Sequence, residues 1–190
     1  EELMALDRPG DNRSRVVTPM RDDSGELLGV SQTLTIFVGE GVDHILPGGL
    51  DHILFVLALF LSSTTSRSLV IQISVFTLAH TITLGLAATG VISPPSDIVE
   101  PLIALSIALV AIENLFFKKP PRWRPIVIFL FGLLHGLGFA GFFGELGLPE
   151  GQFWSALIGF NIGVEIGQLS VIILAIAVLS VWRWRNNIEY

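Results

Sequence analysis

The chain has 190 residues, of which 51% are hydrophobic and 15% charged, and its mean hydropathy is +0.69. That balance belongs to membrane proteins rather than to soluble domains, and a formal net charge of −6 argues against a nucleic-acid partner. Cysteine is absent, which excludes disulfides and thiolate ligands. Any metal has to be held by imidazole, carboxylate, amide or carbonyl groups, a donor set suited to nickel, cobalt, zinc or manganese.

Glu1 to Gly29 is polar and charged, with DRPGDNRSR and RDDSGE as turn material and no signal-peptide pattern. Val30 to Val38 (VSQTLTIFV) alternates polar and apolar residues, as a half-buried strand or an extended approach to the membrane would. Residues 1–43 therefore read as a short, partly extended extracytoplasmic segment and residues 44–190 as a transmembrane helical domain. Five apolar stretches, at about 44–63, 68–92, 97–117, 125–144 and 153–182, approach or exceed the roughly 20 residues a bilayer requires. The expected fold is all-α, a polytopic transmembrane helix bundle.

Basic residues set the expected orientation. Arg67 follows the first span, Lys118, Lys119, Arg122 and Arg124 follow the third, and Arg183 and Arg185 follow the fifth; the other two connections hold only Asp97, Glu145 and Glu150. The positive-inside rule then puts the N-terminus outside and the C-terminus in the cytoplasm of a cell (inner) membrane, with Trp123, Trp182 and Trp184 at the cytoplasmic boundary.

Ionisable residues inside spans are costly and mark candidate functional positions. All four histidines lie in or beside spans. The run DHILPGGLDHILF holds Asp43, His44, Asp51 and His52, with Pro47, Gly48 and Gly49 breaking the helix between the two pairs. Asp51 can ligate an ion, orient the neighbouring imidazole, or serve as a helix N-cap. FTLAHTITL holds His80 beside Thr77 and Thr81, whose hydroxyls can bond back to helix carbonyls. The third span carries Glu100, Ser106, Glu113 and Asn114; Glu100 can be a terminal cap and Glu113 can pair with Lys118. In FGLLHGLGFAGFFGE, Gly132, Gly136, Gly138 and Gly141 surround His135 and permit close helix approach. GFNIGVEIGQL places Asn161, Glu165 and Gln168 on one polar stripe and Gly159, Gly163 and Gly167 on a close-packing seam.

Asp51, His52, His80, His135 and Glu165 come from four predicted spans at a similar depth, and they are the expected metal ligands. Asp43 and His44 are placed at the outer mouth, with Asn161, Gln168, Ser106 and Glu100 as lining or supporting groups. The bland alternative is a hydrogen-bonded network that only holds the bundle together.

At these residues the sequence resembles the HupE/UreJ family, in its branch with an extracytoplasmic N-terminal segment. The stretches that carry the resemblance are HILPGGLDHILFVLALF, FTLAHTITLGLAATGV, VEPLIALSIALVAIENL, FGLLHGLGFAG and GFNIGVEIGQL, in that order over most of residues 41–170. The resemblance implies a secondary nickel or cobalt permease of the kind associated with hydrogenase and urease systems. It also implies that Asp51, His52 and His80 handle the metal.

Three functions follow as expectations. A permease would admit Ni²⁺ or Co²⁺ past Asp43 and His44, hold it at mid-membrane, and release it toward Glu113. An intramembrane hydrolase of a lipid or lipid-linked amide would hold zinc with an open water position, assisted by Ser106 or Glu165. An accessory subunit would use the polar residues for assembly with a membrane complex or a second copy. Lipids and a divalent cation (nickel or cobalt, with zinc admissible) are the expected partners.

Overall fold

The computed structural model of the chain describes residues 28–63, 65–117, 119–139 and 151–185. Most of the N-terminal tail, the last residues of the expected fourth span with Glu145 and Glu150, and the extreme C-terminus lie outside the described residues. Within them the protein is all-helical: α1 (Val30–Ile45), α2 (Leu50–Ser62), α3 (Ser66–Ala88), α4 (Ser96–Phe116), α5 (Arg124–Gly138) and α6 (Phe153–Arg185). α3, α4 and α6 are each long and apolar enough to cross a membrane. α1 and α2 qualify together as one broken span, bent by 74°, and α5 is a shorter apolar helix. The chain is a multi-pass membrane protein.

Val30 to Val38 is helical, which corrects the extended reading. The alternation there covers only nine residues, whereas a four-residue spacing continues past it: Thr33, Phe37, Gly41 and Ile45 are the buried positions of α1. That spacing defines a helix face, and the face lies on α6. Built Cβ atoms show how close the two backbones come. One on Gly41 would strike the Phe160 carbonyl and come within 2.8 Å of the Val164 nitrogen; one on Gly159 would sit 2.8 Å from the Leu34 carbonyl, and one on Gly167 2.7 Å from Ile45 Cβ. The matched order of contacts, Leu34 to Ile45 against Gly159 to Gly167, makes α1 and α6 parallel. α1 thus belongs to the bundle and runs through position 44, where the first span was expected to begin.

α3 and α5 make the second close pair. A Cβ on Gly132 would meet Phe76 and Ala79, and one on Gly136 would meet the His80 carbonyl and Thr83. Thr83 Oγ1 also donates to the Leu133 carbonyl across the pair, at 2.7 Å. These contacts are again in register, so α3 and α5 are parallel and begin at the same end of the bundle. α6 runs antiparallel to α3, with His80 beside Asn161 and Ser74 beside Glu165.

Helix ends follow local chemistry. Thr65 caps α3 through Ser68 N at 3.2 Å. At the other end Gly90 takes φ 73° and the Gly90 and Val91 amides bond back to Ala87 and Leu86, a Schellman closure that needs glycine in the left-handed position. Pro125 lies in the first turn of α5, where its missing N–H costs nothing.

Large apolar side chains such as Leu54, Leu61, Leu78, Ile173 and Trp184 face outward, as the lipid-facing surface of a membrane protein does. Gly41→Val should lower stability in detergent by at least about 2 kcal/mol by forcing α1 off α6. Gly39→Val, with nothing within 4 Å of its added Cβ, should leave stability nearly unchanged. Chemical denaturation of the two variants side by side checks this.

Candidate metal centre

In a straight helix, residues eight positions apart are about 12 Å apart along the axis. The break at residues 46–49, which includes a cis Leu46–Pro47 bond, folds the end of α1 back against the start of α2. His44 and His52 thereby stand with ring centroids 4.8 Å apart. α3 brings His80 to 6.1 Å from His44 and 5.6 Å from His52, and α5 brings His135 to 5.2 Å from His52. His44, His52 and His80 each offer a ring nitrogen, and these nitrogens lie within 4.8 Å of one another. Two imidazole nitrogens on one ion at about 2.1 Å are at most about 4.2 Å apart, so a small inward shift of these rings would let them share one ion.

Three rings are oriented by a bond at Nδ1. His52 Nδ1 lies 3.2 Å from the Asp51 carboxylate. His80 Nδ1 lies 3.3 Å from Asn161 Oδ1, and because Asn161 Nδ2 donates to the Leu157 carbonyl at 2.7 Å, its oxygen is the acceptor. His135 Nδ1 donates to the Phe131 carbonyl at 2.8 Å. Carboxylate, amide oxygen and carbonyl all accept, so each Nδ1 carries a proton and, in the neutral ring, Nε2 holds the lone pair. In all four histidines Nε2 is buried without a hydrogen-bond partner among the described residues. Leaving one such acceptor dry costs on the order of 1–3 kcal/mol. Such a group suits a Lewis acid, and the Nδ1 partners stand where metal-bound histidines usually have an orienting acceptor.

Aromatic rings wall the cluster. Phe139 lies 3.9 Å from His44, and Phe76 lies 4.9 Å from His135. On one side a cleft of about 400 Å³ reaches the histidines between α2, α4 and α5; Glu100 and Asp51 contribute carboxylates to it, and Leu54, Ile103 and Ile107 give it an apolar wall.

The sequence-derived candidates fall into three groups. His52, His80 and His135 come together, with Asp51 as the orienting partner of His52 rather than a cap: α2 starts after Gly49 with no side-chain capping bond. His44, expected at the mouth, sits inside the cluster. Asn161 supports it and Glu100 lines the cleft. Glu165 lies apart from the rings: its Oε1 accepts from Ser74 Oγ at 2.6 Å. Gln168 Oε1 accepts from Thr77 Oγ1 at 3.0 Å, so Thr77 bonds across to α6, whereas Thr81 bonds back to its own helix at 2.7 Å. Ser106 donates to the Ile103 carbonyl at 2.7 Å, and Asp43 is exposed. Glu113 is held by Arg124 Nη1 at 3.3 Å. Sequence reading missed Ser74 and the central place of His44. The helix-breaking PGG between His44 and His52 was the available signal for the latter, because a break is what allows the two to face each other.

The family model described as HupE / UreJ protein matches residues 22–189. The chain belongs to the HupE/UreJ family. No curated protein and no solved structure matches it. In this HupE/UreJ protein the matched region contains all four histidines and every helix of the described bundle.

His52→Ala should weaken divalent-metal binding by more than about 100-fold, and Asp51→Asn by about 10–100-fold through loss of the oriented Nδ1–H. Titration of purified protein with Co²⁺, followed by its visible d–d absorption, measures both and reports nitrogen coordination.

Proposed function

We propose that the protein is a permease for a divalent transition metal, nickel or cobalt, with the histidine cluster as its intramembrane binding station. The observation that carries this reading is the set of four buried Nε2 atoms without partners among the described residues, three of them in rings whose Nδ1 has an acceptor. Family membership supports nickel and cobalt as the cargo, in line with the resemblance drawn from the sequence.

In this reading the ion enters along the cleft, where Glu100 and Asp51 attract it and replace part of its hydration, and passes to His44, His52, His80 and His135. The apolar and aromatic surround raises the cost of leaving an imidazole unliganded and so favours capture. Release follows the polar contacts between α3 and α6, from His80–Asn161 through Thr77–Gln168 to Ser74–Glu165. This route replaces the one expected past Glu113, because Arg124 holds that carboxylate. With the basic end of the bundle in the cytoplasm, transport runs inward.

A second reading has one observation in its favour. The cleft is partly apolar, so the hydrocarbon part of a lipid-linked substrate suits its wall of Leu54, Ile103 and Ile107. Zinc held by three imidazoles with an open position would then supply an activated water. The groups first considered as helpers do not serve it: Ser106 and Glu165 are both engaged away from the cleft, which leaves Asp51 and Glu100.

Cells expressing the protein should accumulate labelled nickel or cobalt. His52→Ala should abolish uptake, and Glu165→Gln should slow it while leaving metal affinity within a few fold. Unchanged uptake in His52→Ala sinks the permease reading. One zinc retained per chain through purification, with no uptake, selects the hydrolase.

A further inference from the structure

The opposite end of the bundle carries a second constellation that the metal reading does not use. Because α3 and α5 are parallel, their N-termini open at the same place, and the positive ends of both helix dipoles point there. A cavity of about 460 Å³ lies between them, and Arg67, Lys119, Arg122 and Arg124 all line it with no carboxylate among its lining residues. Arg67, Lys119 and Arg122 are exposed and form no ion pair among the described residues. His80 is fourteen residues along α3 from Ser66, about 21 Å by helix rise, so the two sites are separate.

Two buried groups in this cavity show what is missing from it. Arg124 is 2% exposed; its Nη1 faces Glu113 at 3.3 Å and its Nη2 donates to Asn114 at 3.2 Å, but its Nε is buried with no acceptor. Gln72 is 3% exposed and donates through Nε2 to the Ser68 carbonyl at 3.0 Å. That bond fixes which end of the amide is nitrogen, and leaves Oε1 buried with no donor. Among the described residues, then, two residues of the cavity lining each hold an unpaired polar atom, one wanting an acceptor and the other a donor, beside several positive charges. A phosphate bearing a neighbouring hydroxyl supplies both.

Its surroundings select the source of that phosphate. Ile71, which lines the cavity, is 48% exposed on α3, and Val70 beside it is 44% exposed; α3 is one of the helices long and apolar enough to cross the membrane. Apolar surface thus continues from the cavity along the lipid-facing side of the bundle, where acyl chains lie. We propose that this cavity binds the headgroup of an anionic phospholipid carrying a free hydroxyl, such as phosphatidylglycerol, with its phosphate between Arg67, Arg122 and the α3 N-terminus and its tails along Ile71. Binding there ties the α2–α3 and α4–α5 connections together, and hence the two parallel helices that carry His80 and His135.

Native mass spectrometry of the full chain released from detergent, with added phosphatidylglycerol or phosphatidylcholine, tests the proposal. Phosphatidylglycerol should be retained at least about tenfold more tightly, given the number of cations involved. The Arg67→Gln/Arg122→Gln variant should lose that preference, and Arg67→Lys/Arg122→Lys should keep most of it. Co²⁺ binding at the histidines should persist in both, which separates this site from the metal site. Equal retention of the two lipids by the native protein overturns the proposal, as does undiminished preference in the glutamine variant. Displacement of phosphatidylglycerol by millimolar inorganic phosphate alone overturns the assignment to a lipid. If the glutamine variant fails to fold, the comparison of the two lipids on the native protein still decides.

Discussion

Hydrocarbon offers a polar side chain no partner, so every polar group buried in a membrane bundle has to be answered from within. The histidines show this constraint at its sharpest. An imidazole has two nitrogens, and giving one of them a good acceptor decides the state of the other. Asp51, Asn161 and the Phe131 carbonyl take the Nδ1 protons of His52, His80 and His135. The Nε2 atoms are then left buried with no hydrogen-bond partner among the described residues. His44, His52 and His80 bring ring nitrogens within 4.8 Å of one another, an arrangement that suits a cation.

The packing serves that arrangement. Glycines let α1 lie on α6 and α3 on α5 at backbone contact, and each close pair carries histidine into the same space: His44 at the end of α1, His80 on α3, His135 on α5. A side chain at Gly136 would strike the His80 carbonyl, so the spacing that packs the helices also sets where the ring sits. The bend between α1 and α2 contributes the remaining histidine, His52, and places it facing His44.

Charge is segregated along the same axis. Carboxylates of Asp51 and Glu100 line the cleft at the histidines, while Arg67, Lys119, Arg122 and Arg124 surround the cavity at the far end. Acidic groups thus gather at one end and basic groups at the other. Between them the α3–α6 interface keeps a column of polar pairs inside an otherwise apolar bundle.

Much of this was legible in the residues. Apolar runs with basic separators announce a membrane bundle because hydrophobic length and charge are local properties. Glycine spacing around His135 and along 159–167 announces close packing, since a missing side chain has one common use inside a membrane. The PGG between His44 and His52 announces a break. The site was legible as a set of types at a common depth, and Asp51, His52, His80 and His135 were named on that ground. Depth alone could not say which way each side chain points. Glu165 shares the depth yet faces Ser74, and His44, read as a mouth residue, is inside. Val30 to Val38 read as extended because nine residues of alternation do not reveal the four-residue face that meets α6. Which imidazole nitrogen stays free, which carboxylate orients a ring and which pairs with arginine are decided by neighbours far away in the chain. Composition and spacing by themselves determined that polar groups are buried in a membrane; only the tertiary structure decided which of them meet, because direction across a helix bundle is a property of packing.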